Sequence, residues 1–131
     1  MIKIRASCSV AGENFSPKLF SQISSVKLTR TNERGDIGTK GRYQGKPMPY
    51  GSASVEVSNK AEASWSRLDD LLVTLEGCIE ALRKAGGDEI SLSVSLFHDG
   101  QCNFGFSKEE FRRIAALKVD MAISCYSDEV E

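Results

Sequence analysis

Residues 1–10 read Met-Ile-Lys-Ile-Arg-Ala-Ser-Cys-Ser-Val. Ile2, Ile4, Ala6, Cys8 and Val10 alternate with Lys3, Arg5, Ser7 and Ser9, so a strand here has one apolar face and one polar face. A strand covered on both sides would be apolar throughout. The opening stretch therefore predicts a sheet buried on one face only, with helices packed there.

The same alternation returns along the chain. It recurs at Ala53, Val55 and Val57, at Ile90, Leu92, Val94 and Leu96, at Cys102, Phe104 and Phe106, and at Val119, Met121, Ile123 and Cys125. Val26 and Leu28 mark one more strand. Asp99-Gly100 reads as the tight turn of a hairpin joining the Leu96 and Phe104 strands.

Helices separate these strands. Ser16-Pro17 reads as an N-cap followed by the first helical residue, with Leu19, Phe20 and Ile23 turned inward. Leu68, Leu71, Leu72, Leu75, Ile79 and Leu82 recur at the helical period and make the longest apolar stripe. Ser66 and Asp69 read as its capping box, Asp69-Asp70 as its first-turn acids, and Gly86-Gly87 as its stop. Ser107 to Glu110 is a second capping box, with Phe111, Ile114 and Ala115 facing inward behind it.

The order is βαββαββαβ. It predicts an α+β fold with a largely antiparallel sheet of about six strands, helices on one face, related to ferredoxin-like arrangements. A length of 131 residues fits a single domain over 1–131. From about residue 32 to residue 51 the pattern dissolves into glycines and basic residues, which predicts a flexible loop.

Charge is divided between the halves. Residues 1–60 hold ten Lys and Arg against four Asp and Glu, whereas residues 61–131 hold seven against fourteen. Two opposite local fields hide inside a net charge of −1, and such fields steer a charged partner. No apolar run approaches a membrane span, and the start has no apolar leader, so a cytoplasmic protein is expected. Cys8, Cys78, Cys102 and Cys125 are widely spaced and the chain has one histidine. That pattern predicts reduced thiols, no metal site and no cofactor.

Little in the chain resembles catalytic machinery. His98 and Cys102 are the one conceivable nucleophile pair, and nothing nearby supplies an orienting third group. Asp69-Asp70 and Glu109-Glu110 fit helix starts better than acid–base chemistry. The glycines at 35, 38, 41 and 45 match neither phosphate-loop spacing. Lys27, Arg30, Arg34, Lys40, Arg42 and Lys46, interleaved with Tyr43 and Tyr50, pair phosphate-neutralising with base-stacking side chains. Glu33 and Asp36 dilute that patch.

On the long helix, Asp69, Glu76 and Glu80 fall away from the leucine stripe, and Asp128, Glu129 and Glu131 add charge at the end. An acidic face imitates a phosphate backbone and attracts a basic protein. The plainer reading is the wet side of an ordinary helix.

Several segments resemble a bacterial family known as domain of unknown function 4279. They are the first strand running into Gly12-Glu13-Asn14-Phe15-Ser16-Pro17, the glycine-rich basic stretch, Trp65 before the long helix, and Gln101-Cys102-Asn103-Phe104-Gly105-Phe106-Ser107. Proteins of this style are similar in size to immunity proteins encoded beside bacterial toxins. The resemblance implies no catalytic residue.

The expected function is thus a non-enzymatic immunity protein occluding the active site of a basic toxin domain, a nuclease, through Asp69, Glu76, Glu80, Asp128, Glu129 and Glu131. The alternative is a nucleic-acid or anion-binding module using residues 27–46, with Lys40, Arg42 and Lys46 as the anion site. A Cys/His enzyme ranks third.

Overall fold

In a computed structural model, which describes residues 2–57 and 64–127, β1 (Ile2–Gly12) behaves as its alternation predicts. It is the central strand, antiparallel to β3 (Gly51–Glu56) on one side and to β4 (Glu89–His98) on the other. Cys8 stands opposite Val55 and Leu92, and Val10 opposite Ala53 and Ile90. Apolar residues thereby form rows across the sheet, because directly opposed residues share a face. Ile4, Cys8 and Val10 are buried, while Lys3, Arg5 and Ser9 on the other face are exposed.

The remaining elements are α1 (Pro17–Ile23), β2 (Thr29–Asn32), a 3-10 turn (Gly41–Tyr43), α2 (Ser64–Lys84), α3 (Lys108–Leu117) and β5 (Asp120–Ser127). The sheet order is β2-β3-β1-β4-β5. The first four strands with α1 and α2 follow the split βαβ connectivity, every neighbouring pair antiparallel. β5 then joins β4 in parallel by way of α3.

The fold is α+β, with a mixed sheet of five strands. The sixth expected strand does not form. Residues 101–107 carry no strand, although Cys102, Phe104 and Phe106 alternate. The place beside β4 is taken by β5, and the Phe106 ring packs against Phe104 and Phe111 instead of standing in a ladder. Asp99-Gly100 consequently opens a crossover to α3, not a hairpin. β2 also begins later than expected: Val26 and Leu28 lead into it and pack half-buried against the core.

α2 supplies the other half of the core. Leu68, Leu71, Leu72, Leu75 and Leu82 are fully buried, and Cys78 and Ile79 nearly so. Each such side chain contributes about 1.5–3 kcal/mol by leaving water. Its helix starts at Ser64, so Ser66 lies inside it and cannot be its N-cap. Asp69 and Asp70 accordingly sit beyond the first turn, contrary to the sequence reading.

α1 keeps its expected start: the Ser16 hydroxyl accepts from the Leu19 amide at 3.1 Å, with Pro17 next. Of its anticipated inner stripe only Phe20 is buried, since Leu19 and Ile23 are 43% and 48% exposed. A helix of seven residues has room for one inward row. Gly86 makes the turn after α2 possible: its φ is +101°, and a Cβ there would lie 2.4 Å from the Asn14 carbonyl oxygen.

The burial contrast along α2 is testable. Leu75→Ala should cost about 2–5 kcal/mol, lowering the melting temperature by roughly 10 °C. Val73→Ala, two residues away on the opposite side of the helix at 57% exposure, should shift it by less than a few degrees.

Candidate interaction surface

Asp69 and Glu76, expected to face a partner, face Arg113 of α3 instead. Arg113 Nη1 donates to Asp69 Oδ1 at 2.6 Å, and its Nε and Nη2 reach both Glu76 oxygens at 2.9 and 2.7 Å. The Arg113 side chain is 16% exposed while Asp69 and Glu76 are 60% and 41% exposed, so this is a two-carboxylate clamp open to solvent on its acidic side. Its hydrogen bonds hold the Glu76 carboxyl below the usual glutamate range, against a smaller opposing push from burial and from Asp69. A second attachment lies at the far end of the same helix pair. Arg83 Nη2 donates to the Leu117 carbonyl at 2.6 Å and to the Lys118 carbonyl at 3.1 Å, serving the exposed end of α3.

The acidic helix face therefore divides by role. Two of its carboxylates hold α3 in place. Glu80, one turn further, is exposed, as is Asp70. Asp128, Glu129 and Glu131 lie outside the described residues.

The basic segment is more organised than its glycines imply. Gly35 and Met48 amides bond to the Met48 and Asp36 carbonyls at 2.8 and 2.7 Å, and Gly38 to Lys46 at 2.9 Å. These bonds draw residues 35–48 into a hairpin-like excursion. Its base is tied to α1 by Glu33, which accepts from Ser16 Oγ at 2.6 Å and from the Lys18 amide at 3.0 Å. Glu33 and Asp36 thus anchor the segment. Lys40, Arg42 and Lys46 are all exposed on it, with Arg42 5.6 Å above the Tyr43 ring. Arg30 and Arg34 lean on Glu56 and Glu13 at 3.7 and 3.8 Å.

His98 and Cys102 do not form a nucleophile pair. The His98 Nδ1–H donates to the Gly100 carbonyl at 2.9 Å. The Cys102 thiol is pushed above its usual value, by burial first and by the Cys125 thiol next, which is opposite to activation. Glu109 and Glu110 play the expected helix-start roles. Glu110 completes the capping box with Ser107, and Glu109 pairs with Arg112.

One surface went unread in the sequence. β5 is an edge strand, with β4 as its neighbour, and all its residues except Met121 are exposed. On it Ile123 is 40% exposed and Tyr126 49%, on opposite faces of the sheet, and elsewhere Phe104 is 37% and Phe111 56% exposed. Phe111 was expected inside, but α3 buries Ile114 and Leu117 and leaves Phe111 and Ala115 outside. Phe104, Phe106 and Phe111 form a chain of ring contacts at 6.0 and 5.7 Å. On the open face Tyr126 stacks on Phe97 at 5.1 Å, and Arg5 lies 5.5 Å from Phe97. Exposed apolar groups beside unpaired strand backbone mark a surface that takes partners. The available signal was the uncharged run from Met121 to Ser127, read only as a strand.

A groove of about 490 Å³ lies at the opposite end of β4, lined by Ser9, Arg83, Asp88, Glu89, Lys118 and Asp120 among others. Charges of both signs line it, and Arg83 is committed to carbonyls. Among the described residues no cluster of three metal-binding side chains occurs, and no helix is long and apolar enough to cross a membrane.

Comparison of the chain with protein-family models, curated proteins and solved structures returns no match.

Arg113→Met should lower unfolding free energy by about 1 kcal/mol, read from urea midpoints. Glu76 has a depressed folded-state pKa, so its contribution is present above the ordinary glutamate range and lost as pH falls through the folded value. The gap between wild type and variant should accordingly be widest near neutrality and narrow on acidification below the ordinary glutamate range.

Proposed function

We propose that this chain is a non-enzymatic binding protein that neutralises a protein partner by covering its working surface, in the manner of a toxin-immunity protein. The partner of choice is a basic nuclease domain, met in the cytoplasm. The observation that carries this reading is the β5 edge, an eight-residue strand that itself exposes Ile123 and Tyr126.

The physics of such a contact has two parts. Aromatic and apolar groups supply the burial at the centre of an interface. The backbone groups along β5 supply directional hydrogen bonds to an approaching segment. Charge sets the encounter: residues 61–131, which include α2, α3 and β5, carry the excess of carboxylates, and Asp70 and Glu80 are exposed among them. Rim charges of this kind accelerate association more than they tighten it.

Asp69 and Glu76 take a smaller part in this proposal than pattern alone suggests, because a partner would have to compete with Arg113 for them. Glu80 remains a rim contact. A second reading is supported by a separate observation: Lys40, Arg42 and Lys46 are all exposed on one hydrogen-bonded excursion, where Arg42 lies over Tyr43 and Tyr43 meets Tyr50 edge-on. That arrangement suits a polyanion such as RNA.

The readings separate in solution. With the product of an adjacent toxin gene as titrant, the wild-type chain should bind with sub-micromolar affinity by calorimetry. Ile123→Lys should weaken binding at least tenfold with an unchanged melting temperature, because a lysine on the edge blocks strand addition. Unchanged affinity in Ile123→Lys and in Phe111→Ser would remove β5 from the interface. If the polyanion reading is correct, the chain is retained on heparin, and changing Lys40, Arg42 and Lys46 to Ala together abolishes retention.

A further inference from the structure

The two edges of the sheet are built differently. β2 is four residues long, its pairing with β3 is irregular between Thr29 and Asn32, and Arg30 sits in the left-handed region at φ +50°. A short, irregular and charged edge resists further pairing. β5, at the other rim, runs for eight residues in unbroken register with β4, from Ser91 opposite Asp120 to His98 opposite Ser127. From Met121 to Ser127 it carries no charge, proline or glycine.

The two faces of β5 differ in chemistry. Met121, Ile123 and Cys125 stand opposite the buried Leu92, Val94 and Leu96, so they share the helix-bearing face. Asp120, Ala122, Ser124 and Tyr126 stand opposite Ser91, Ser93, Ser95 and Phe97, on the open face. Consider a second β5 laid antiparallel along the rim, with Ile123 on the two-fold axis. Residues brought opposite one another are then an even number apart, so each stays on its own face. Ile123 meets Ile123 of the second copy, and Met121 meets Cys125, which extends an apolar row with an apolar row. On the open face Ala122 meets Ser124. Asp120 meets Tyr126, whose phenol O–H donates to the carboxylate. No like charges oppose each other within β5. Centring the pair on Ala122 or on Ser124 instead separates Asp120 from Tyr126.

We propose that β5 pairs antiparallel with β5 of a second copy of this chain, centred on Ile123, and joins two five-stranded sheets into one. This inference rests on the reading of β5 as the contact surface in the proposed function, and it names how that surface is regulated. The free chain covers the edge with itself, and a partner displaces the second copy. The contact uses the same patch on both copies, so it closes at two. The β2 edges are left at the ends of the joined sheet, where their irregularity stops growth into a fibre. A single strand pair lies at the small end of the interface range, below about 1,200 Å², so a dissociation constant on the order of 10–100 µM is expected.

Sedimentation of the full, reduced chain from about 5 µM to about 1 mM tests the proposal. The weight-average mass should rise from the 14.3 kDa of one chain toward twice that value. Ile123→Lys should hold it at one chain throughout, because it sets two lysines face to face on the axis. Tyr126→Phe should weaken the dimer about tenfold or more, since the bond to Asp120 is lost on both sides of the axis. Cross-linking reads the register. In a Cys125→Ser background, Ile123→Cys should give a disulfide-linked dimer on oxidation, and Ser124→Cys, which faces Ala122 of the second copy, should not. A one-chain mass at every concentration, an Ile123→Lys variant that still dimerises, or cross-linking by Ser124→Cys in place of Ile123→Cys would each overturn the proposal. The partner titration separates the two readings. A monomeric wild type that binds the partner removes the self-pairing and keeps the proposed function. A dimeric wild type that no partner displaces keeps the self-pairing and removes the proposed function.

Discussion

The structure depends on one contact: the leucine stripe of α2 against the apolar face of β1 and its neighbours. Five leucines of α2 are fully buried, and Ile4, Cys8, Val10, Leu92, Val94 and Leu96 meet them from the sheet. Burial of that many large side chains is the main offset to the entropy of ordering the chain. The opposite face of the sheet is built from Lys3, Arg5, serines and a few aromatics, and among the described residues no helix covers it. Everything else is arranged around a core that has only one side.

That one-sidedness explains how the charged groups are used. α3 contributes only Ile114 and Leu117 to the fully buried set, too little to fix a ten-residue helix by burial alone. Arg113 and Arg83 complete the attachment by joining α2 carboxylates to α3 and α3 carbonyls to α2. Charges that would look available on a helical wheel are spent on holding two helices together. In the same way Glu33 fastens the basic hairpin to α1. The free surface is then left where the scaffold ends: along β5, where the sheet has no further strand, and on the exposed basic residues of the hairpin.

The parallel addition of β5 is what makes that edge. An antiparallel hairpin after β4 would have placed residues 102–106 beside it and left the last strand elsewhere. The crossover through α3 instead puts the uncharged Met121–Ser127 run at the rim and sends Phe104 and Phe106 onto Phe111. Edge strands in stable proteins are commonly blunted by charge, proline or bulges. β5 has Asp120 at its start and none of these from Met121 to Ser127.

Local pattern carried much of the fold. Alternation marked β1, β3 and β4, helical period marked α2, and short-range capping chemistry marked the starts of α1 and α3, because each of these depends on residues within a turn or two of one another. Even some errors were local in origin: period-two spacing of Cys102, Phe104 and Phe106 is shared by strands and by a loop whose rings stack on one another. By itself the sequence determined that the chain is an α+β domain with a half-covered sheet and a leucine-striped helix, since hydrophobic periodicity follows from backbone geometry. Only the tertiary structure decided which strand lies at the edge, which carboxylates meet Arg113, and which cysteines are buried. Those outcomes join residues dozens of positions apart, and no local spacing encodes the closure of such distances.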